Sequence, residues 1–483
     1  MKVKRTHPTW ATQHRKPGTE LRYINGKYYL YNVSSRYDAV SKKTKKVSGK
    51  ILGSITQKDG FIESGKRILD KKAQLGFDAR TICVKEHGFS CFLQQHTELI
   101  NANLQRCFAA DWRLIIALAY CRLLYHSPIK NMPFHLSKSM LMNEVAETIT
   151  DKKVSSLLRQ IGSNRIAVTN YMQSFIKKGD YVLTDMTNIF SASNQISLCK
   201  EGYNSDMVFD KQFNLLYIYS PSLSLPVFYR LQAGNIREVK GFQLLLKESN
   251  IEQAVIIADK GFHSKQNIEF LDAQKLQYII PLKRDNLLID YTKITKSDAN
   301  YFKHEGRIIW YAMYQENTKT IYLFKNEKLM VQEEKDYLHR IDTHPEEYSL
   351  KKYHQIKHRL GTIALFSNVK EKSANEIFTT YKSRNEIEVM FDGIKNVLDA
   401  DKTYMQNDDA LQGWMFINHI AIQWYYTIYK ILKTNNYLKK YSVNDFIIHL
   451  KEIKKVKINN QWTLEPITAS TQTMLQNLKL SVT

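Results

Sequence analysis

From Gly179 onward the chain changes rhythm, and that change restricts the fold more than any other feature. Tyr181–Phe190, Asn214–Ser220 and Pro226–Leu231 read as strands, and Gly241–Glu248 as a helix. Ala254–Ala258 follows as a short buried strand, Ser264–Ala273 as a helix and Tyr278–Leu282 as another strand. Three strands, then helix, strand, helix and strand, call for a mixed α/β sheet with helices on both faces. Between about 285 and 368, the strand signals at Arg307–Tyr314, Thr320–Phe324 and Thr362–Phe366 indicate a β-rich insertion into that core.

The flanks read differently. Residues 1–60 hold a small β unit, with Leu21–Ile24, Lys27–Val33 and Val47–Ile55 as strands and Asn25-Gly26 as a hairpin turn. Lys42, Lys43, Lys45, Lys46 and Lys50 cluster in or beside the third strand. A three-stranded sheet of this kind, basic and aromatic on one face, fits a DNA groove; a small sheet with a solvated charged loop fits equally well. Residues 61–178 read as helical, including Ala110–Leu124 and Ser139–Ile149. There Val154–Ile161 and Ser163–Ile176, separated by Gly162, have the look of a helix-turn-helix, a look that any helical region with a short glycine turn also produces. The boundaries are therefore 179–284 with 369–435 for the core, 285–368 for the insertion and 436–483 for a helical C-terminal region.

Composition narrows the partners. Among 483 residues, Lys+Arg number 70 against 47 Asp+Glu, a formal charge of +23 spread along the chain, which favours a polyanion. The five cysteines, Cys83, Cys91, Cys107, Cys121 and Cys199, show no C-x-x-C spacing, so a reducing cytosol fits better than a zinc knuckle or a disulfide framework. The N-terminus is basic without the apolar run of a secretory signal. Gly413–Leu432 is apolar but broken by Asn418, His419, Gln423 and Lys430, which suits a buried helix rather than a membrane span.

Three carboxylates stand out against this background. Asp185 lies in the first core strand, and Asp259 ends Ala-Val-Ile-Ile-Ala-Asp just before Lys-Gly-Phe. An ionised carboxylate after five apolar residues is costly unless a cation meets it, although a turn cap or a pair with Lys260 is the plainer explanation. The third comes from Tyr381–Lys395. At roughly 100° per residue on an α-helix, Tyr381, Arg384, Glu388 and Lys395 fall within about 60° of arc. Beside them Ile387, Met390, Phe391, Ile394 and Leu398 make a stripe for burial. Glu386 falls about 160° from Glu388, away from both cations. Three hard oxygen ligands suit Mg²⁺ or Mn²⁺ better than zinc, and two such ions suffice for phosphoryl transfer without a nucleophilic Ser, Cys or His.

The spacing Tyr, two residues, Arg, three residues, Glu, six residues, Lys resembles the signature of the IS4-type superfamily of bacterial insertion-sequence transposases, in particular its IS1634-like branch. Asp259-Lys-Gly-Phe-His-Ser is similar to that family's second-aspartate motif, and the resemblance covers about 180–435. It implies an RNase H-like catalytic core and a DDE triad of Asp185, Asp259 and Glu388 holding two Mg²⁺ ions, with Mn²⁺ able to substitute. Tyr381, Arg384 and Lys395 would then grip DNA phosphates, and Trp310 is a candidate platform for a flipped base. The implied activity is cut-and-paste transposition: cleavage at terminal inverted repeats, attack by the freed 3′-hydroxyl, and joining to target DNA. The implied setting is a bacterial cytoplasm, with a homodimer pairing two element ends. Two other readings use the same residues: an RNase H-like nuclease without strand transfer, and a domesticated DNA-binding protein.

Overall fold

A computed structural model of the chain describes residues 7–38, 42–66, 82–143, 149–202, 210–236, 238–294, 300–398 and 403–482. It divides into two compact units, Met1–Val84 with Lys455–Glu465, and Lys85–Lys454 with Pro466–Thr483.

The first unit is built on an antiparallel four-stranded sheet, one strand more than expected. Its strands run in order, β1 (Thr19–Ile24), β2 (Lys27–Asp38), β3 (Lys43–Thr56) and β4 (Gly60–Glu63). Asn25 and Gly26, both at positive φ (48° and 80°), make the β1–β2 turn, as their pairing in sequence suggests. Leu21, Leu30 and Ile55 close a small core with Ala11 from the Thr9–Thr12 helix. The Lys454–Ile458 and Gln461–Leu464 hairpin, expected as helix, turns on Asn459 and Asn460, again both at positive φ.

The second unit centres on a ten-stranded mixed sheet. After β5 (Cys83–Glu86) and a run of helices come β6 (Tyr181–Phe190), the two-residue β7 (Lys200–Glu201), β8 (Lys211–Ser220) and β9 (Leu225–Ala233). β6, β8 and β9 form an antiparallel meander. The Glu238–Ser249 helix leads to β10 (Val255–Ile257), and the Lys265–Ala273 helix leads to β11 (Gln277–Pro281). β10 lies parallel to both β6 and β11. The central order is therefore β9-β8-β6-β10-β11. β8 is buried at nine of its ten residues, which is why its middle, Leu215–Tyr219, shows no alternation of apolar and polar residues.

The insertion is less exclusively β than expected. Its strands β12 (Asn300–His304), β13 (Arg307–Glu316) and β14 (Lys319–Lys325) join the same sheet through β15 (Thr362–Ser367), which pairs with β11. Between β14 and β15 stand helices at Glu327–Thr343 and Leu350–Ile356. The first carries no fully buried residue; its inner face, Met330, Glu333, Glu334, Tyr337 and Ile341, is only half-buried and includes two acids, so its apolar stripe is weak. Of the helix expected at Ser139–Ile149, the described part contains a 3₁₀ turn at Met140–Met142, and residues 144–148 lie outside the described residues.

Helix packing accounts for the resemblance to a helix-turn-helix. The helices run Asp151–Ser163 and Arg165–Gln173, joined by Asn164 alone, whose side chain caps the second. Gly162 lies inside the first helix, and a Cβ there would sit 1.8 Å from the Asp409 carbonyl oxygen. The partner is the 27-residue Asp408–Thr434 helix, where a Cβ on Gly413 would come within 2.0 Å of the Leu158 carbonyl oxygen. These glycines permit two backbones to touch; neither makes a turn. The second helix is also committed to packing, burying Ala167, Val168, Tyr171 and Met172, with the Tyr171 hydroxyl donating to Gln423 at 2.6 Å. The Asp408–Thr434 helix is thus buried in protein, and no described helix is long and apolar enough to cross a membrane. Gly162→Ala or Gly413→Ala is expected to cost about 1–3 kcal/mol and lower the melting temperature. Gly65→Ala, with open space around it, should leave the melting curve unchanged.

Candidate active site

The parallel pairing of β10 with β6 sets Ile257 beside Leu183. Two residues on, Asp185 is still within β6 and Asp259, in extended conformation just past the end of β10, continues that register to its level. Side chains two apart share a face of a sheet, so both aspartates reach the same side. Asp259 begins the 3₁₀ turn Lys260–Phe262, its carbonyl accepting from the Phe262 amide. Asp185 stays inside β6 opposite Tyr217 and accepts from the Met186 amide at 2.9 Å.

The third carboxylate arrives with a cation. Arg384 Nη2 donates to Asp185 Oδ2 at 2.9 Å and lies 3.9 Å from Asp259 Oδ1, while Nη1 donates to Glu388 Oε1. One guanidinium therefore gathers all three acids, from segments nearly 200 residues apart. Asp185 and Arg384 are largely buried, Asp259 is about one-third exposed and Glu388 is half exposed. Burial pushes the Asp185 carboxyl up to about 6, with Arg384 pulling it down and Asp259 and Glu388 adding to the rise. Burial likewise pushes the Tyr381 phenol up to about 12. The guanidinium itself is strengthened: burial works against its charge, but Asp185 and Asp259 outweigh it.

The segment carrying these groups is not the single regular helix expected. A helix ends at Lys382, and Arg384, Glu386 and Ile387 then donate three residues back, to Tyr381, Ser383 and Arg384 respectively. Regular helix resumes over Asn385–Asp392 and widens into a π turn at Gly393–Val397. A tight turn before and a wide turn after change the helical phase. The uniform 60° arc for Tyr381, Arg384, Glu388 and Lys395 therefore gives way to an irregular path. Ile387, Met390, Phe391, Ile394 and Leu398 are nevertheless all buried. Lys395 falls in the π turn, half-buried, and makes no ion pair among the described residues. Glu386 stands outside the cluster, paired with Lys433 at 3.1 Å.

A cleft of about 600 Å³ opens beside Asp259 and Tyr381. Lys260, Lys283, Arg284 and Lys382 line it, with Ile309, Phe324 and Phe378 as its apolar wall. Lys283 and Arg284 were not singled out from sequence. Their signal was the Lys-Arg pair just past β11, near the end of the sheet where Asp259 follows β10. Arg284 is tied to Glu333 at 2.8 Å. Trp310 is absent from the lining, although its neighbour Ile309 is part of it; the Trp310 ring lies 5.6 Å from Tyr301 instead. Among the described residues no three His, Cys, Asp or Glu side chains form a ready-made metal cluster, and Arg384 takes the central place among the three acids.

Comparison with known proteins places this geometry in context. Residues 196–424, just under half of the chain, match the family model described as "Transposase DDE domain". The match includes Asp259 and the 381–395 segment and begins after Asp185. It supports a DDE transposase. Among solved structures, the piggyBac transposase synaptic complex with hairpin DNA is similar at 13% identity and a TM-score of 0.39, over 76% of this chain and 79% of that one. The Mos1 transposase paired-end complex with left transposon end is similar at 14% identity and a TM-score of 0.15, over 37% and 57%. A search of curated proteins finds no match.

The cluster makes a pH-dependent demand on Arg384. Its charge lowers the Asp185 pKa, so the stability it adds is present above that pKa and lost as Asp185 protonates. Arg384→Ala should therefore destabilise the metal-free protein by about 2 kcal/mol at pH 8. The loss should fade in thermal melts as the pH falls below about 6 and Asp185 takes up its proton.

Proposed function

We propose that the protein is a DDE transposase of the IS4-type superfamily, IS1634-like branch, which cuts DNA at terminal inverted repeats and joins the freed ends to target DNA. The observation that carries this reading is the meeting of Asp185, Asp259 and Glu388 at one guanidinium. Support comes also from the β9-β8-β6-β10-β11 order, with β10 and β11 parallel to β6, which agrees with an RNase H-like core. The transposase family match overlaps two of the three acids.

The donor set fits divalent metal. Three carboxylates face a single guanidinium, which leaves them under-compensated, and all their donor atoms are hard oxygens. Asp185, Asp259 and Glu388 would hold two Mg²⁺ or Mn²⁺ ions. When bound, these supply activation of the attacking oxygen and stabilisation of the leaving one. The chain's own residues do the rest. Arg384, released from the acids it now bridges, offers a two-pronged donor to a phosphate. Lys395 adds a point charge, and Tyr381 contributes its phenol. Lys260, Lys283 and Lys382 line the adjoining cleft with positive charge, suited to a DNA backbone. Two element ends must be cut together, so a homodimer is the expected synaptic form, acting in a bacterial cytoplasm.

Asp185→Ala or Glu388→Ala is expected to abolish Mg²⁺-dependent nicking and joining of terminal-repeat duplexes while DNA binding persists. Either variant cleaving normally removes the metal assignment. Glu386→Ala, outside the cluster, should retain most activity. Lys395→Ala should reduce the slope of log affinity against log salt by about 1. Cleavage without joining would favour a nuclease, and inverted repeats flanking the reading frame would favour the transposase.

A further inference from the structure

β2 and β3 outlast their neighbours in the first unit. β1 pairs with β2 only as far as Asn32, and β4 pairs with β3 only from Gly53. Beyond them, Ser34 to Asp38 pairs with Val47 to Lys43 as a two-stranded ribbon about 17 Å long. Register shifts at Leu30/Tyr31 and Tyr31/Val33 mark its root, where a Cβ on Gly49 would stand 3.0 Å from the Asn32 carbonyl oxygen. Bulges at such a position bend and twist the strands that leave the sheet.

No ribbon residue is buried; Tyr37 is 64% exposed and Val47 42%. An isolated two-stranded ribbon is marginal in water, so this one gains most from a partner. Residues 34–38 and 43–47 hold Arg36, Lys43, Lys45 and Lys46 against Asp38 alone, four cations to one acid. Facing pairs share a side, so Arg36, Lys45 and Lys43 line one face with Asp38, while Tyr37, Thr44, Ser35 and Lys46 occupy the other. Lys45 pairs with Asp38, and Lys46 with Glu20 at 2.8 Å. Both lysines are exposed and their acids partly so, and ion pairs so open to water add little and yield readily to a phosphate.

We propose that this ribbon inserts into the major groove of duplex DNA. The groove is about 12 Å wide and admits a two-stranded β-ribbon. Tyr37, Thr44 and Ser35 then present hydroxyls to base edges with Lys46 on the same side, while the long Arg36, Lys43 and Lys45 side chains reach from the outer face to phosphates on the rims of the groove. The excess of positive charge opposes a second copy of the ribbon, and the polar faces do not suit an apolar surface. The choice of DNA rests on the transposase reading, yet the ribbon is tested by binding alone.

The experiment compares the full-length protein with Arg36→Ala/Lys43→Ala/Lys45→Ala, a variant that touches no buried residue. Fluorescence anisotropy with a terminal-repeat duplex and an unrelated duplex, from 50 to 200 mM salt, should show affinity for both falling about tenfold or more and the salt slope falling by about 2 to 3. Dimethyl sulfate footprinting should show protection of guanine N7, a major-groove atom, lost in Tyr37→Ala. Unchanged affinity and slope in the triple variant overturn the proposal. Protection confined to adenine N3 in the minor groove also overturns it, as does a change in self-association by sedimentation with DNA binding intact. Failure of the transposase reading shows separately, as cleavage that survives Asp185→Ala.

Discussion

Arg384 carries the electrostatics of this molecule. Three carboxylates crowded at the end of a sheet repel one another, and water at this partly buried place cannot screen them fully. One planar guanidinium with donors on two nitrogens relieves that repulsion by meeting all three at once. The irregular backbone around it follows the same need. A helix passing straight from Lys382 to Asn385 would carry Arg384 in ordinary helical phase, whereas the tight turn at Ser383 and Arg384 delivers it to Asp185 with Glu388 one turn beyond.

Behind the charged cluster, the buried face of that segment is held from the opposite side. Arg122, itself buried, donates to the Leu398 carbonyl and to Asn418 at 3.0 Å, with its guanidinium over the Trp414 ring. The far end of the π turn is thereby joined to the Asp408–Thr434 helix, and that helix is locked to Asp151–Ser163 by the paired glycines. His419, on the same helix, is fully buried beside Tyr217, which lies opposite Asp185 on β8. Burial, helped by the nearby Arg165 charge, holds this imidazole neutral, near 3, so His419 itself adds no positive charge beneath the acids.

What the sequence made legible was periodic or local. The strand rhythm after Gly179, the Asn25-Gly26 turn and the buried stripe from Ile387 to Leu398 each depend on neighbours a few residues away. The placing of Asp259 beside Asp185 follows from alternation along two strands once their parallel pairing is granted. Features that depend on a third partner stayed hidden. Gly162 reads as a turn until the Asp409 backbone is seen against it. The Arg384–Glu388 pair looks like an ordinary surface i,i+4 contact until Asp185 meets the same guanidinium. The Glu327–Thr343 helix has only a half-buried inner face, Met330, Glu333, Glu334, Tyr337 and Ile341, in which two acids dilute the apolar signal. The hairpin at Asn459 and Asn460 has only short strands, Lys454–Ile458 and Gln461–Leu464, in which Val456, Ile458, Trp462 and Leu464 alternate with polar residues over too few positions to stand out between two helices.

The strands between the second aspartate and the glutamate are stitched into the central sheet through β15, not hung from it by linkers. A wall joined by backbone hydrogen bonds keeps its spacing like a ruler. Ile309 and Phe324, on one wall of the cleft, therefore sit in the same hydrogen-bonded frame as Asp185, so the distance from that wall to the acids is set by sheet geometry.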